Sequence, residues 1–283
     1  MNGIDTRNVA SGEDRVKTNG QVFTPDSIVN EMLDNTDKEL AINLTGTDNV
    51  DNINDNDYIS YIVLEPTAGN GNFIIRELER KLLRVENIFN KSGENNRNWE
   101  IVLLKAVSSI HAIELSADNV MTTKLRMLDV ITTGSTPVFE LEYKEVQPFR
   151  TKGFSLSDDM LKSIKYILDR NIQCGDSLKC EKYLINKSYS ISDEWTLTLD
   201  KSKLFDSLFT ADYISAYELV LTQYDFDEIT GKVALRERAY ENMHSSEEMY
   251  KNTTDYIEYN KIYTLTPASV YVTEDDICED FDF

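Results

Sequence analysis

Two hydrophobic periods alternate along this chain, and their order predicts an α/β protein. Residues 1–20 are polar and aperiodic, so they read as an irregular arm. From Asp26 to Leu40, the residues Ile28, Val29, Met32 and Leu33 recur at helical spacing, with Asp26 beside Pro25 as a start signal. Residues 45–57 carry Asp48, Asp51, Asp55 and Asp57 with no base, which reads as a solvated loop. Tyr61-Ile62-Val63-Leu64 is then an apolar run of the length of a buried strand. Glu65 to Asn72 follows as a turn, and Phe73 to Phe89 reads as a helix with Ile74, Leu78, Leu82 and Val85 on one face. Strand, glycine-rich turn and helix, in that order, open a doubly wound sheet. A second strand fits Ile110 to Leu115, and a helix fits Ala117 to Thr132. Residues 135–153, with Pro137 and Pro148, read as a connection. Asp158 to Leu168 is helical, Asn171 to Cys174 fits a third strand, and Tyr217 to Leu221 is a candidate fourth. Beyond Gly231 the signals for helix and strand alternate. The pattern divides the chain into an arm (1–20), one α/β domain (21–270) and an acidic tail (271–283).

Composition narrows the class of function. Lys and Arg number 29 against 50 Asp and Glu, a formal charge of −21. Such a charge argues against strong autonomous binding to nucleic acid or to an anionic membrane, though it leaves room for a local basic groove. No apolar run approaches the ~18 residues of a membrane span, and the polar start lacks the apolar segment of a secretory signal. Cys174, Cys180 and Cys278 are odd in number and lack paired ligand spacing, which fits a reduced, cytoplasmic setting. With His111 and His244 as the only histidines, a histidine-rich metal site is excluded and no metal is expected.

The turn at 65–73 is the first candidate for chemistry. Gly69 and Gly71 allow positive φ and close approach of a ligand to the backbone. Glu65, at the end of the first strand, can hydrogen-bond an amine or hydroxyl held above the turn. The helix start behind it can face a carboxylate or phosphate. A Walker phosphate loop is excluded, because no Gly-Lys-Ser/Thr follows. The dinucleotide spacing is absent too, since Ile74 falls where the third glycine would be. Glu114 ends the second strand, where a carboxylate can accept two hydrogen bonds from a ribose diol. Asp176, after the third strand, can accept from the amino group of an adenine. Taken singly, each of these also has an ordinary reading: a glycine turn, a strand-end acid, an aspartate in a turn.

In order along the chain, four segments resemble the cofactor motifs of the S-adenosylmethionine (SAM)-dependent adenine-N6 DNA methyltransferases. They are Gln21-Val22-Phe23-Thr24-Pro25, Leu64-Glu65-Pro66-Thr67-Ala68-Gly69-Asn70-Gly71-Asn72-Phe73, Ile113-Glu114-Leu115, and Ile172-Gln173-Cys174-Gly175-Asp176-Ser177-Leu178. The resemblance spans residues 20–230 and is greatest to the subgroup shared by type I modification subunits and related type II enzymes. It implies a Rossmann-like class I methyltransferase fold, with a mostly parallel sheet and helices on both faces. It also implies SAM as cofactor, with Phe23, Thr24 and Pro25 against the methionine part. Glu65, Pro66, Gly69 and Gly71 would surround the amino-acid moiety, Glu114 would hold the ribose and Asp176 the adenine amino group. Phe73 is expected in the core beneath the turn, and His111 is expected to be a packed strand residue.

The catalytic loop of that family, Asn/Asp-Pro-Pro-Tyr/Phe, is not intact. The five prolines (Pro25, Pro66, Pro137, Pro148 and Pro267) are never adjacent. The chemistry asks for an amide or carboxylate oxygen and a backbone carbonyl to accept the hydrogens of the adenine amine, and for an aromatic ring to stack on a flipped base. Tyr217 to Phe226 fits the template without a gap. Gln223 replaces the Asn, Tyr224 and Asp225 replace the prolines, and Phe226 supplies the ring; this register expects residues 217–221 beside the strand bearing Glu65. A rival register, Phe205 to Tyr213, puts Ala211 at the Asn position and Asp212-Tyr213 after it. The resemblance thus implies an adenine-N6 DNA methyltransferase acting on DNA, weakly bound alone, with a protein partner or target-recognition subunit. The altered loop keeps open a catalytically silent SAM-binding relative that acts as a subunit or regulator. The charge keeps open an acidic DNA mimic.

Overall fold

The computed structural model describes residues 24–92, 98–133, 154–183, 216–240 and 252–265. The arm (1–20), Phe23, the rival 205–213 register and the acidic tail (271–283) lie outside the described residues.

Helix α1 spans Asp26–Thr45 and stops at Gly46, whose φ of 76° lets its N–H reach the Ile42 carbonyl. Its buried side chains include Val29, Leu33, Leu40 and Ala41, whereas Ile28 and Met32 are exposed, so only half of the predicted apolar stripe is a core face. The stretch read as a solvated loop contains a 3-10 turn (Val50–Asn52) and helix α2 (Asp55–Ser60). The Asn54 side chain accepts from the Asn56 N–H, and Asp55 and Asp57 sit in the first turn, where acids complement the helix dipole. The aspartates that looked like loop residues therefore start a helix.

Strand β1 (Val63–Glu65) leads through the glycine turn into α3 (Asn72–Ser92). Ile74, Leu78, Leu82 and Val85 of α3 are fully buried, on the face the periodicity predicts. Helix α4 (Asn98–Ser108), strand β2 (Ile110–Glu114), helix α5 (Ala117–Thr133), helix α6 (Asp158–Asn171) and strand β3 (Ile172–Asp176) follow. Strands β4 (Glu181–Tyr183) and β5 (Ala216–Glu218) complete a sheet of order β1-β2-β3-β4-β5. β1–β2 and β2–β3 are parallel, while β3–β4 and β4–β5 are antiparallel. The molecule is thus mixed α/β with a small three-stranded parallel sheet, and only half of the strand pairs of the larger sheet are parallel.

The predicted fourth strand divides at Leu219. Residues 216–218 close the far end of the first sheet, away from β1, instead of lying beside the strand that bears Glu65. Residues 220–227 form β6 (Val220–Asp227), which pairs antiparallel with β7 (Lys232–Ala239) in a second sheet completed by β8 (Asn252–Thr253) and β9 (Ile257–Glu258). Asp227 makes this hairpin: its carboxylate accepts from the N–H groups of Ile229 and Thr230 and from the Thr230 hydroxyl, and Gly231 takes φ 69°. A 3-10 turn (Tyr259–Thr264) packs behind it. One hydrophobic core joins the two sheets, including Leu78, Leu104, Ile110, Ile164, Val233 and Leu235.

Candidate functional site

β1, β2 and β3 are parallel neighbours, and each ends in an acid: Glu65, Glu114 and Asp176. Parallel pairing therefore brings three carboxylates, far apart in sequence, to one edge in a stagger, with Glu65 opposite Ala112 and Glu114 opposite Cys174. The glycine turn is fastened to that edge. The Ala68 N–H donates to the Ile113 carbonyl at 3.0 Å, and the Gly69 N–H donates to Glu114 Oε2 at 2.8 Å. Gly69 and Gly71 have φ of 56° and 87°, the left-handed region in which glycine carries no steric cost. A Cβ at Gly71 would lie 2.6 Å from Thr123 Oγ1, so only glycine lets α5 approach the turn this closely.

Beneath the turn, the buried Arg126 donates to the Asn70 carbonyl at 2.6 Å and to Asn72 Oδ1 at 3.0 Å. Burial lowers its pKa to about 10, and it stays cationic at neutral pH. Asn72 in turn donates through Nδ2 to the Thr24 carbonyl at 2.9 Å, and Arg76 pairs with Asp26 at 2.8 Å. These two links bring Thr24 and Pro25 to the glycine turn. Pro66, exposed, follows Glu65 at the start of it.

The three carboxylates are not equally open. Glu65 Oε1 accepts from both the N–H and the hydroxyl of Thr67, each at 3.0 Å. Glu114 accepts three bonds, from Gly69 N–H, Ser116 N–H and Asn119 Nδ2. A carboxylate offers about four acceptor positions, so Glu114 has one for a ribose hydroxyl instead of the two its expected role asks for. Asp176 Oδ1 accepts from the N–H groups of Leu178 and Lys179, which makes it a turn former, and Lys179 Nζ stands 3.7 Å from Oδ2. Two exposed apolar side chains border these acids: Leu115 is 55% and Leu178 96% exposed. Sequence reasoning included both in its motif segments but gave neither a role, although each follows a strand-end acid within two residues. It also passed over Arg126 and Asn119, which lie inside a helix and carry no local signal.

Gln223, Tyr224 and Phe226 are placed elsewhere. They lie within β6 and not in a loop, with Gln223 opposite Arg236, Tyr224 opposite Leu235 and Phe226 opposite Val233. The Tyr224 hydroxyl donates to Asn171 Oδ1 at 3.1 Å, and Asn171 Nδ2 donates to the carbonyls of Ser108 and Ile110. Residues 223–226 therefore sit where β2 and β3 begin, one β2 length from Gly69, or about 13 Å at ~3.3 Å per residue. The gapless register is corrected: these residues do not face the glycine turn. The physical reason is the missing prolines. With Tyr and Asp at 224 and 225 every backbone N–H is available, and the segment joins a ladder that two prolines would have broken.

The same edge buries polar groups. Lys81 is fully buried, and its Nζ donates to the carbonyls of Tyr58, Ile59 and Tyr61 and to Ser109 Oγ. It caps the carbonyl end of α2, and burial lowers its pKa to about 8. His111 is 2% exposed on β2, the packed strand position expected of it, and burial followed by the neighbouring Lys81 charge pushes its pKa down to about 4. Among the described residues no helix is long and apolar enough to cross a membrane, and no cluster of three or more His, Cys, Asp or Glu could hold a metal. No family model, curated protein or solved structure matches the chain.

Proposed function

We propose that the chain binds SAM at the edge where β1, β2 and β3 end, as a relative of the adenine-N6 DNA methyltransferases with a Rossmann-like cofactor half. The observation that supports this reading is the juxtaposition of the glycine turn with Glu65, Glu114 and Asp176 on three adjacent parallel strand ends. The residues fit the group. Gly69 and Gly71 give a backbone surface without side chains for the methionine moiety, and Glu65 Oε2 faces its ammonium. Glu114 accepts one ribose hydroxyl, Asp176 accepts from the adenine amine, and Leu115 and Leu178 cover the adenine faces that would otherwise meet water. Bound SAM would supply an electrophilic methyl carbon on its sulfonium. The family's reaction, transfer to the exocyclic amine of adenine in DNA, remains the proposed activity of an assembly that adds a partner or target-recognition subunit.

Two observations favour a second reading, the catalytically silent SAM-binding subunit or regulator. The acceptor and ring of Gln223 and Phe226 lie at the opposite edge, and a charge of −21 repels DNA. Calorimetric titration with SAM, run beside transfer of a radiolabelled methyl group to unmodified DNA, separates the readings. Binding with transfer is the outcome expected of an enzyme, and binding without transfer is that of a silent relative. Absence of SAM binding would sink both.

A further inference from the structure

Helix α1 starts beside the glycine turn and ends at Gly46, and its two halves are held by different means. In the second half, Leu40 and Ala41 pack with Ile53 and Tyr58 in a small apolar cluster of their own. No residue of α1 belongs to the core that joins the two sheets. The first half, residues 26–37, buries only two apolar side chains, Val29 and Leu33. The side-chain ties from this half to α3 are charges. Asp26 pairs with Arg76 at 2.8 Å, and Asp34 and Asp37 both pair with Arg80, the first at 2.7 Å. Arg80 also donates to the Asn30 carbonyl at 3.3 Å.

This seam is polar and incompletely satisfied. Arg80 Nε and Asn30 Oδ1 are both buried without a hydrogen-bond partner among the described residues. A buried polar atom left unpaired favours any arrangement that returns it to water. Arg76 has a second carboxylate on its own helix, Glu79 at 2.6 Å, and keeps it when α1 lifts. Both ion pairs of Arg80 among the described residues lead to α1, which makes this residue the latch. Asp37 is 7% exposed and depends on it. Without the guanidinium, its carboxylate is a buried charge held by the Tyr58 hydroxyl, and opening hydrates it. A free stretch of about twelve residues is a marginal helix in water, so opening is also local unfolding.

The position of this half gives the opening a role. Asn72 Nδ2 donates to the Thr24 carbonyl at 2.9 Å, which holds the start of α1 against the turn that bears Gly69 and Gly71. We propose that residues 24–37 form a lid latched by Arg80, which opens and closes over the glycine turn while α3 and the parallel sheet stay folded. That the lid closes on SAM rests on the function proposed above; the latch does not.

The test is amide hydrogen exchange, resolved by peptide, on the full chain with and without SAM. It is run on the native protein and on Arg80→Met, Asp34→Asn and Arg84→Met, each checked for folding by thermal unfolding. In the native chain, residues 26–37 should exchange faster than α3 and β2. Arg80→Met should speed that exchange about tenfold or more and leave α3 and β2 within about twofold. The Asp34 side chain is 60% exposed, so Asp34→Asn keeps the fold and should give a smaller gain of about two- to threefold. It decides the test if Arg80→Met fails to fold, since no gain there overturns the latch. Arg84 pairs with Asp55 of α2 at 3.1 Å, so Arg84→Met should leave residues 26–37 near the native rate. Equal effects of Arg80→Met and Arg84→Met also overturn the latch. Native exchange of residues 26–37 no faster than that of α3, or equal acceleration of 26–37, α3 and β2 in Arg80→Met, overturns the lid. SAM should slow exchange in residues 26–37, and SAM that binds in calorimetry without slowing it overturns closure on the ligand. If SAM does not bind, the cofactor reading fails, and exchange without ligand still decides the lid.

Discussion

The two edges of the parallel sheet are built on opposite principles. Where β1, β2 and β3 end, the working parts are backbone: two glycines at positive φ, N–H groups directed at Glu114, and carboxylates at strand termini. Where β2 and β3 begin, the working parts are side chains, Lys81, His111 and Asn171 buried and Tyr224 half-buried, each placed by a different element. The glycine turn of the first edge is specified by a continuous sequence segment, whereas its three acids and the whole of the second edge are brought together by topology. A backbone cradle tolerates little change at its glycines and much around them. A side-chain network spreads its cost across several elements and ties them together.

The largest effect that would sharpen this contrast is expected at Gly71. Gly71→Val places a branched side chain at φ 87° against Thr123, and strain plus overpacking should cost about 3–5 kcal/mol in chemical denaturation. SAM binding should be lost with it. A native-like unfolding midpoint would show that the turn relaxes and is no rigid cradle.

At the other edge, His111 gives a pH signature. Its folded pKa of about 4 lies below the ordinary 6.5, so between these values the unfolded chain holds a proton that the native chain does not. Stability from this group is therefore full above pH 6.5 and declines as the pH falls towards 4, by about 3 kcal/mol. The lysine beside it, Lys81, keeps its charge throughout that window. In His111→Leu the loss of unfolding free energy between pH 7 and 4.5 should shrink by most of that amount. An unchanged acid slope would mean that carboxylates alone set it.

Asn171→Ala should cost about 2 kcal/mol, because it leaves the Ser108 and Ile110 carbonyls and the Tyr224 hydroxyl without their partner. Amide hydrogen exchange should report faster opening of β3 and β6 together; opening of β3 alone would deny the coupling. The smallest effect belongs to Leu178→Ser. At 96% exposure, its contribution to stability should be within about 0.5 kcal/mol, while SAM affinity falls several-fold in calorimetry. Unaltered affinity would remove Leu178 from the cofactor site.

The difference between the edges also explains what could be read in advance. β1, the glycine turn and α3 were legible because apolar run, glycines and helical period are local signals, and Ile74, Leu78, Leu82 and Val85 are buried as the period implies. Helix α4 left no such trace. Ile101, Val102, Leu103, Leu104, Ala106 and Val107 are all buried, and a helix covered on every side loses its periodicity. The acids at 55 and 57 looked like loop solvation, because an N-terminal helix turn and a solvated loop prefer the same residues. The misplacement of Gln223 and Phe226 has a different origin. Residues 217–226 do form extended structure, but the break at Leu219 and the Asp227–Gly231 turn carry them into a hairpin. Strand propensity cannot reveal which sheet a strand will join.

Helix α6 ends at Asn171 and β3 begins at Ile172, with no residue between them. At this junction chain length itself is the constraint. Successive side chains of a strand point to opposite faces, so one residue inserted after Asn171 would turn Gln173, Cys174 and Asp176 over together. The acid that ends β3 would leave its row, and the glutamine that reaches the Val220 carbonyl would point away from it. Variation in length at this seam is therefore closed to the fold. The Glu228-Ile229-Thr230 tip, although it stands in solvent, is bound by length in the same way, because that turn sets the register of β6 against β7.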